Sequence, residues 1–347
     1  PEILDLLMVV WNKVYRRAFW ERVGLEFPTG FYVNPPVTVR AHALARSVDV
    51  LKETVYHWRK RPGTATEDRY DRDGVAQRLR SARALRDALA EEASGLLNAY
   101  DEHALVGIEL RILFEALPKT QEEHREELVA LGADLAGRIS PRVVKRLPSI
   151  QRLQLHLLCG RMLPELMETL RFVQLRKAAD APRVRRGVRS RWYAEYPYFE
   201  DEERGVPSHV YDVTDELTPV AAIDRASWVD GRLRLEGHAY IRHLDSSTED
   251  CSRIRLWLVA SNWRGFMRVP VRRVRRPDVT ARSKQTAVSY DWSGFVADID
   301  PSSLKVLGRW RDVDWVPCAE VVNRGLRRRC TFGNPRLPAR QWPDDLE

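Results

Sequence analysis

Residues 226–244 read ASWVDGRLRLEGHAYIRHL, and their alternation decides the architecture of the C-terminal half of the chain. Leu233, Leu235, Ala239 and Ile241 fall on one parity, while Arg234, Glu236, His238 and Tyr240 fall on the other. A period of two with one apolar face is the signature of a half-buried strand. Asp230-Gly231 separates two such runs and reads as a tight hairpin turn. The same pattern returns in SRIRLWLVASNWRGFMRVPVRRV (252–274), AVSYDWSGFVADID (287–300) and DWVPCAEVVNRGLRRRCTF (314–332), the last with an Asn-Arg-Gly turn. Several short strands joined by such turns predict an antiparallel β-sandwich over 188–347, its first part a linker that is basic, then aromatic, then acidic.

Upstream the period changes. Residues 67–187 carry apolar positions at helical spacing, sustained through DGVAQRLRSARALRDALAEEASGLLNAYDEHALVGIELRILFEALP until Pro118 interrupts them. QEEHREELVALGADLAGRIS and SIQRLQLHLLCGRMLPELMETLRFVQLRKAAD follow, and together these predict a helical bundle with a Leu, Ala and Val core. Residues 1–66 read as α/β. A helix carries Val14, Ala18 and Phe19 on one face and closes at Gly24, a second helix covers PPVTVRAHALARS, and short strands lie within VDVLKETVYHWRKR. A piece this small buries little core by itself, and the chain opens without Met, so it reads as a fragment. The expected fold class is therefore α+β multidomain, in three segments.

Composition narrows the function. The 347 residues are 44% hydrophobic and 31% charged, with a mean hydropathy of -0.43, the profile of a globular protein rather than a disordered one. No run of about 18 apolar residues occurs, and the N-terminal stretch is too interrupted for a signal peptide. Cys159, Cys251, Cys318 and Cys330 lie far apart, outside any CxxC pair or zinc spacing, so reduced thiols in a cytoplasmic protein are expected. A net charge of +8 and a pI near 9.4 favour anionic partners.

Two basic groups stand out. Arg59, Lys60 and Arg61 follow Trp58, with Thr64 and Thr66 just beyond; guanidinium forks and hydroxyls suit a diphosphate, and a solvated loop suits the same residues. Arg272, Arg273, Arg275 and Arg276 sit in VPVRRVRRPDVTARSKQ, the densest basic run, and on one face they would hold a polyanion. Trp228, Trp257, Trp263 and Trp292 read mostly as core, with exposed platforms under sugar rings as the alternative. Asn34, before Pro35-Pro36, reads as a helix cap, and its neutral amide cannot act as a base. His42 and His57 are nearby titratable groups, although a lone histidine on a helix or strand is more often structural. No nucleic-acid motif accompanies the charge, so no nucleic-acid partner is expected.

The phrases VWNKVYRRAFWERVGLEFPTGFY (10–32) and VTVRAHALARSVDVLKETVYHWRKR (37–61) resemble the end of the GT-A domain in family 2 inverting glycosyltransferases. The wall teichoic acid glycosyltransferases of Gram-positive bacteria and their actinobacterial homologues are the members it is most similar to. RWYAEYPYFEDEERGVP, EGHAYI, RIRLWL and PDVTARSKQTAVSYDWSGFVADID resemble the β-domain of the actinobacterial proteins. The resemblance implies transfer of a sugar from a nucleotide-sugar donor, with Mn or Mg, to a hydroxyl of a polyol-phosphate cell-wall polymer. It also implies homo-oligomers and a peripheral place on the cytoplasmic membrane face. An acidic Glu-Asp pair precedes the second helix in that family and supplies the catalytic base; Val33 and Asn34 stand there in this chain. Arg59, Arg61, Thr64 and Thr66 match the segment that faces the donor diphosphate. The Asp-x-Asp metal motif is expected upstream of Pro1, and no metal ligands are expected within the chain. An impaired or incomplete transferase is the leading expectation, and a non-catalytic module for binding polymer and oligomerising is the other.

Overall fold

A computed structural model describes residues 9–27, 29, 32, 34–54, 56, 57, 70–187, 191–260, 265–305, 309 and 313–332. The chain divides into two compact units. One comprises Pro1–Leu175 with Tyr196–Tyr211, and the other comprises Arg176–Glu195 with Asp212–Glu347. The architecture is mixed α+β, but these units cut across the three expected segments, for reasons that lie in packing.

In the first unit, helix α1 (Arg17–Val23) ends at Gly24 in the left-handed conformation, as its sequence predicts. The helix does not reach back to Val14, which is fully exposed, and Ala18 is exposed as well. Arg16, at the N-cap, offers no side-chain cap. Tyr15 instead folds onto Trp20, with ring centroids 5.1 Å apart. Phe19, Trp20 and Val23 cover a small core of Leu25, Val37 and Ala41.

Helix α2 (Asn34–Leu44) buries Val37, Thr38, Val39 and Ala41, and packs on α3 (Arg72–Glu92). Arg40 of α2 holds Glu92 of α3 with its Nε 2.6 and 2.7 Å from the two carboxylate oxygens. This contact is why the N-terminal piece belongs to the helical unit. No strand forms among the described residues of 48–57, and Val48, Val50 and Leu51 stand exposed. A β-branched run becomes a strand only when a partner strand takes its hydrogen bonds, and among the described residues none pairs with it.

Asp71 caps α3, accepting from the amides of Asp73 and Gly74. The chain then continues through α4 (Leu97–Tyr100), a π-helical stretch (Asp101–Leu110) and α5 (Arg111–Ala116). A short 3-10 turn over Leu117–Lys119 contains Pro118 and ends the run. Helices α6 (Glu122–Ala136), α7 (Pro141–Arg146), α8 (Ser149–Cys159) and α9 (Leu163–Gln174) complete the bundle. Gly132 permits a close approach, since a Cβ there would meet Leu113 Cδ2 at 2.4 Å.

Two ion pairs cross the bundle in parallel. Arg78 and Arg86 of α3 grip Glu109 and Asp101 of the π-helical stretch, at 2.8 and 2.9 Å. Both carboxylates are almost wholly buried. The Tyr32 ring lies 4.6 Å from the Arg78 guanidinium, and Ser81 donates to the Tyr32 carbonyl at 2.6 Å.

The second unit starts with α10 (Lys177–Asp180) and the hairpin β1 (Arg183–Arg186) and β2 (Arg191–Ala194). Strands β3 (Pro219–Val229), β4 (Arg232–Ile241), β5 (Ser252–Ala260), β6 (Phe266–Val269) and β7 (Arg272–Val274) follow. After helix α11 (Pro277–Ser283) come β8 (Gly294–Ile299), β9 (Trp315–Asn323) and β10 (Leu326–Thr331). They make two four-stranded antiparallel sheets, β3-β4-β8-β7 and β10-β9-β5-β6. Asp230 and Gly231 take φ of 49° and 73°, and Arg324 and Gly325 take 47° and 83°. Both turns are therefore of the primed hairpin class that the sequence announces.

Candidate functional site

Helix α2 opens with Asn34-Pro35-Pro36, and proline suits this place because the first helical amides need no intrahelical partner. Asn34 is the first helical residue, and its carbonyl accepts the Thr38 hydroxyl at 2.9 Å. His42 turns inward along the same helix, with Nδ1 2.7 Å from the Thr38 carbonyl oxygen, so its ring is engaged locally. His57 and Tyr56 are exposed. Val33 lies outside the described residues, and the Asn34 side chain is a neutral amide that takes no proton from a sugar hydroxyl.

Between α2 and α3 lies a groove of about 560 Å³. Its apolar floor includes Leu25, Val37 and Ala88, and Glu26, Asp87 and Glu91 stand on its rim. An acidic rim repels a nucleoside diphosphate, so the groove suits the anionic donor poorly. Arg59, Arg61, Thr64 and Thr66, the residues expected to face that donor, lie outside the described residues. Among the described residues no three His, Cys, Asp or Glu side chains converge as metal ligands would.

The basic run of 272–276 does not present one face. Arg273 stands opposite Phe295 in the β7–β8 register, and Phe295 is fully buried, so this arginine points into the unit. Its guanidinium donates to the Ser252 carbonyl at 2.5 Å and to the Trp292 carbonyl. Burial lowers its pKa. Arg275 pairs with Asp291 at 3.0 Å. Arg276 bridges Asp224 at 2.8 Å and Asp278 at 2.7 Å, and its hydrogen bonds hold the Asp278 carboxyl down at about 2. Asp224 also accepts from His238, 2.9 Å from Nδ1. Arg272 is exposed on the sheet face, and Arg275, just past the end of β7, is exposed as well. The expected even strip is split because adjacent residues of a strand point to opposite sides.

The tryptophans depart from expectation too. Trp228 is 66% exposed near the end of β3, where the alternation runs past the covered part of the sheet. Trp257 is half-buried against Phe266, with ring centroids 5.8 Å apart, and Trp292 is half-buried. Trp263 lies outside the described residues.

A second arginine constellation was missed in the sequence. Across β10-β9-β5, Arg327, Val322 and Arg253 stand in one row, and Arg329, Glu320 and Arg255 stand in the next. A third row sets Trp257 opposite Arg268 of β6. Directly opposed residues of antiparallel strands share a face, so these side chains form one surface. Glu320 sits at its centre, 1% exposed, with Arg255 Nη1 and Arg329 Nε each 2.8 Å from its oxygens. Burial works to raise the Glu320 pKa, and the hydrogen bonds from Arg329 and Arg255 outweigh it and hold the carboxylate ionised. Arg328, the residue between, points inward and donates to the Leu217 carbonyl at 3.0 Å. The available signal was the spacing of arginines two apart in SRIRLWL and in GLRRRCT.

No protein-family model and no curated protein matches the chain. Among solved structures it is similar to TarS of S. aureus, at 15% identity and a TM-score of 0.43, over 92% of this chain. It spans 50% of that TarS chain. A structure of TarS residues 217–571 is similar at 13% identity and a TM-score of 0.37, with 79% of this chain and 67% of that one covered.

Proposed function

We propose that this chain is part of an inverting, family 2 glycosyltransferase that moves a sugar from a nucleotide donor to a hydroxyl of a polyol-phosphate polymer. What supports the reading is the sequence resemblance across the segment 10–61, and one structural observation carries it. The segment placed by that resemblance at the acceptor side is a single helix, entered at Asn34 and anchored to the bundle by the Arg40–Glu92 pair. On this reading residues 1–66 are the end of a GT-A domain, and the two sheets form a β-sandwich appended to it. The donor, a divalent metal, self-association and peripheral membrane attachment belong to the same proposal.

Inverting transfer requires a group that takes the acceptor proton as the sugar–phosphate bond breaks. An amide at position 34 orients a hydroxyl by hydrogen bonding and takes no proton. Purified full-length protein, a nucleotide-sugar donor and a linear polyol-phosphate acceptor make the test. Asn34→Asp raises the transfer rate if position 34 faces the acceptor, and an unchanged rate removes Asn34 from the reading. The neutral residue at this position also favours a second reading, a non-catalytic module that binds the polymer and oligomerises. Polymer binding without transfer by either form would select it.

A further inference from the structure

We propose that the outer face of β10-β9-β5-β6 is the seat of the anionic polymer, with Arg253, Arg255, Arg327 and Arg329 gripping its phosphates and Trp257 and Arg268 extending the track. This assignment rests on the polymer reading above and names the surface that carries it.

Three observations converge on this face. First, positive charge predominates there. Among the described residues of these strands, Arg253, Arg255, Arg268, Arg327 and Arg329 share the face with one carboxylate, Glu320. On the outer face of β3-β4-β8-β7, by contrast, Arg225 stands opposite Glu236, Arg234 pairs with Asp298 at 2.7 Å, and Arg276 is held by Asp224 and Asp278. Second, the one carboxylate is inaccessible and does not saturate its partners. Glu320 accepts from Nη1 of Arg255 at 2.8 Å and lies 3.9 Å from Nε of Arg327, and these two arginines keep 34% and 52% of their side-chain surface exposed. Arg253 and Arg268 are exposed, and no carboxylate among the described residues pairs with either. Third, the rows repeat. Same-face residues along a strand are about 6.7 Å apart, so the Arg327–Arg253 and Arg329–Arg255 rows offer two successive grips to an extended phosphodiester chain.

The aromatic groups choose among polyanions. Single-stranded nucleic acid is held by a platform under each successive base. Here the aromatic side chains, Trp257 and Phe266, lie at one end of the face, and the arginine rows have none. A chain of polyol phosphates has no bases to stack and needs charge at a regular step.

The experiment measures binding of the intact protein to a synthetic linear poly(glycerol phosphate) over a range of salt concentrations. Single-stranded DNA of random sequence and anionic phospholipid vesicles serve as competing polyanions. Two matched double variants are compared with the unmodified chain, R253Q/R327Q on the proposed face and R225Q/R272Q on the other sheet. Neither pair removes a Glu320 hydrogen bond, and thermal unfolding confirms that both still fold. R253Q/R327Q weakens polymer binding about tenfold or more and lowers the slope of log affinity against log salt by roughly 1 to 1.5, whereas R225Q/R272Q shifts affinity less than about twofold. Equal losses in the two pairs would mean a diffuse field and would overturn the assignment. Tighter binding of DNA or vesicles than of the polymer would overturn the occupant. Polymer binding that survives R253Q/R327Q unchanged defeats this face and leaves the functional reading standing, while an unmodified protein that binds no polymer defeats both.

Discussion

Arginines serve opposite ends in the helical bundle and on the β10-β9-β5-β6 sheet. In the bundle, Arg78 and Arg86 each meet one buried carboxylate, Glu109 and Asp101, and are themselves mostly covered. On the sheet, one buried carboxylate faces several guanidiniums that reach solvent. A matched pair in a dry site fixes how two helices lie, and its charge is invisible from outside. An unmatched group at the surface adds little to folding and leaves a field for a ligand. The same residue type is thus structural in one region and poised for recognition in the other, and what separates the roles is the count of nearby carboxylates and their depth.

The comparison breaks most readily at Arg78. Arg78→Ala leaves Glu109 buried without its cation, where burial already pushes its pKa up. The expected loss is about 3–5 kcal/mol in urea denaturation, while replacing both partners by apolar residues of similar size costs far less. A loss below 1 kcal/mol for the single variant would place Arg78 among the surface pairs. Glu320→Gln comes next, removing the charge that three arginines surround. It is expected to destabilise the second unit by about 2 kcal/mol, and at the same time to tighten polymer binding as the face becomes more positive.

Acid gives a third effect, confined to the second unit. His243 is held down to about 4 by burial and then by the nearby Arg183 and Arg242 charges. Its folded pKa lies below its unfolded value of 6.5, so the unfolded chain takes up the proton first. Stability is full above about pH 6.5, falls as the pH drops towards 4, and levels off below that. The expected loss is about 3 kcal/mol at most, and His243→Gln flattens the profile. A profile identical in the variant would assign the slope to other groups. The smallest effect is expected at Arg253, where Arg253→Gln changes folding by less than about 0.5 kcal/mol. A larger loss would make that arginine a structural residue and weaken the contrast.

Much of the second unit was legible in the sequence because a strand reports its own faces. Leu235 and Ala239 alternate with Glu236 and His238, and a hairpin turn needs residues that accept positive φ, as Asp230-Gly231 do. The helical stripe and the Gly24 cap were legible for the same local reason. The run 48–57 misled, since β-branched residues describe a strand that forms only where another strand meets it. The basic run 272–276 misled differently. Counting arginines in sequence ignores parity, and parity turned Arg273 inward.

The sequence by itself determined the charge balance, the change of period from helix to strand, the hairpin turns and the neutral residue at position 34. These depend on composition or on neighbours a few residues apart. Tertiary structure alone decided which arginines are neutralised. Arg255 and Arg329 are 74 positions apart, yet both close on Glu320 because β9 runs between their strands. Electrostatic pairing acts over a few ångströms of space, and only the fold converts distance along the chain into distance in space.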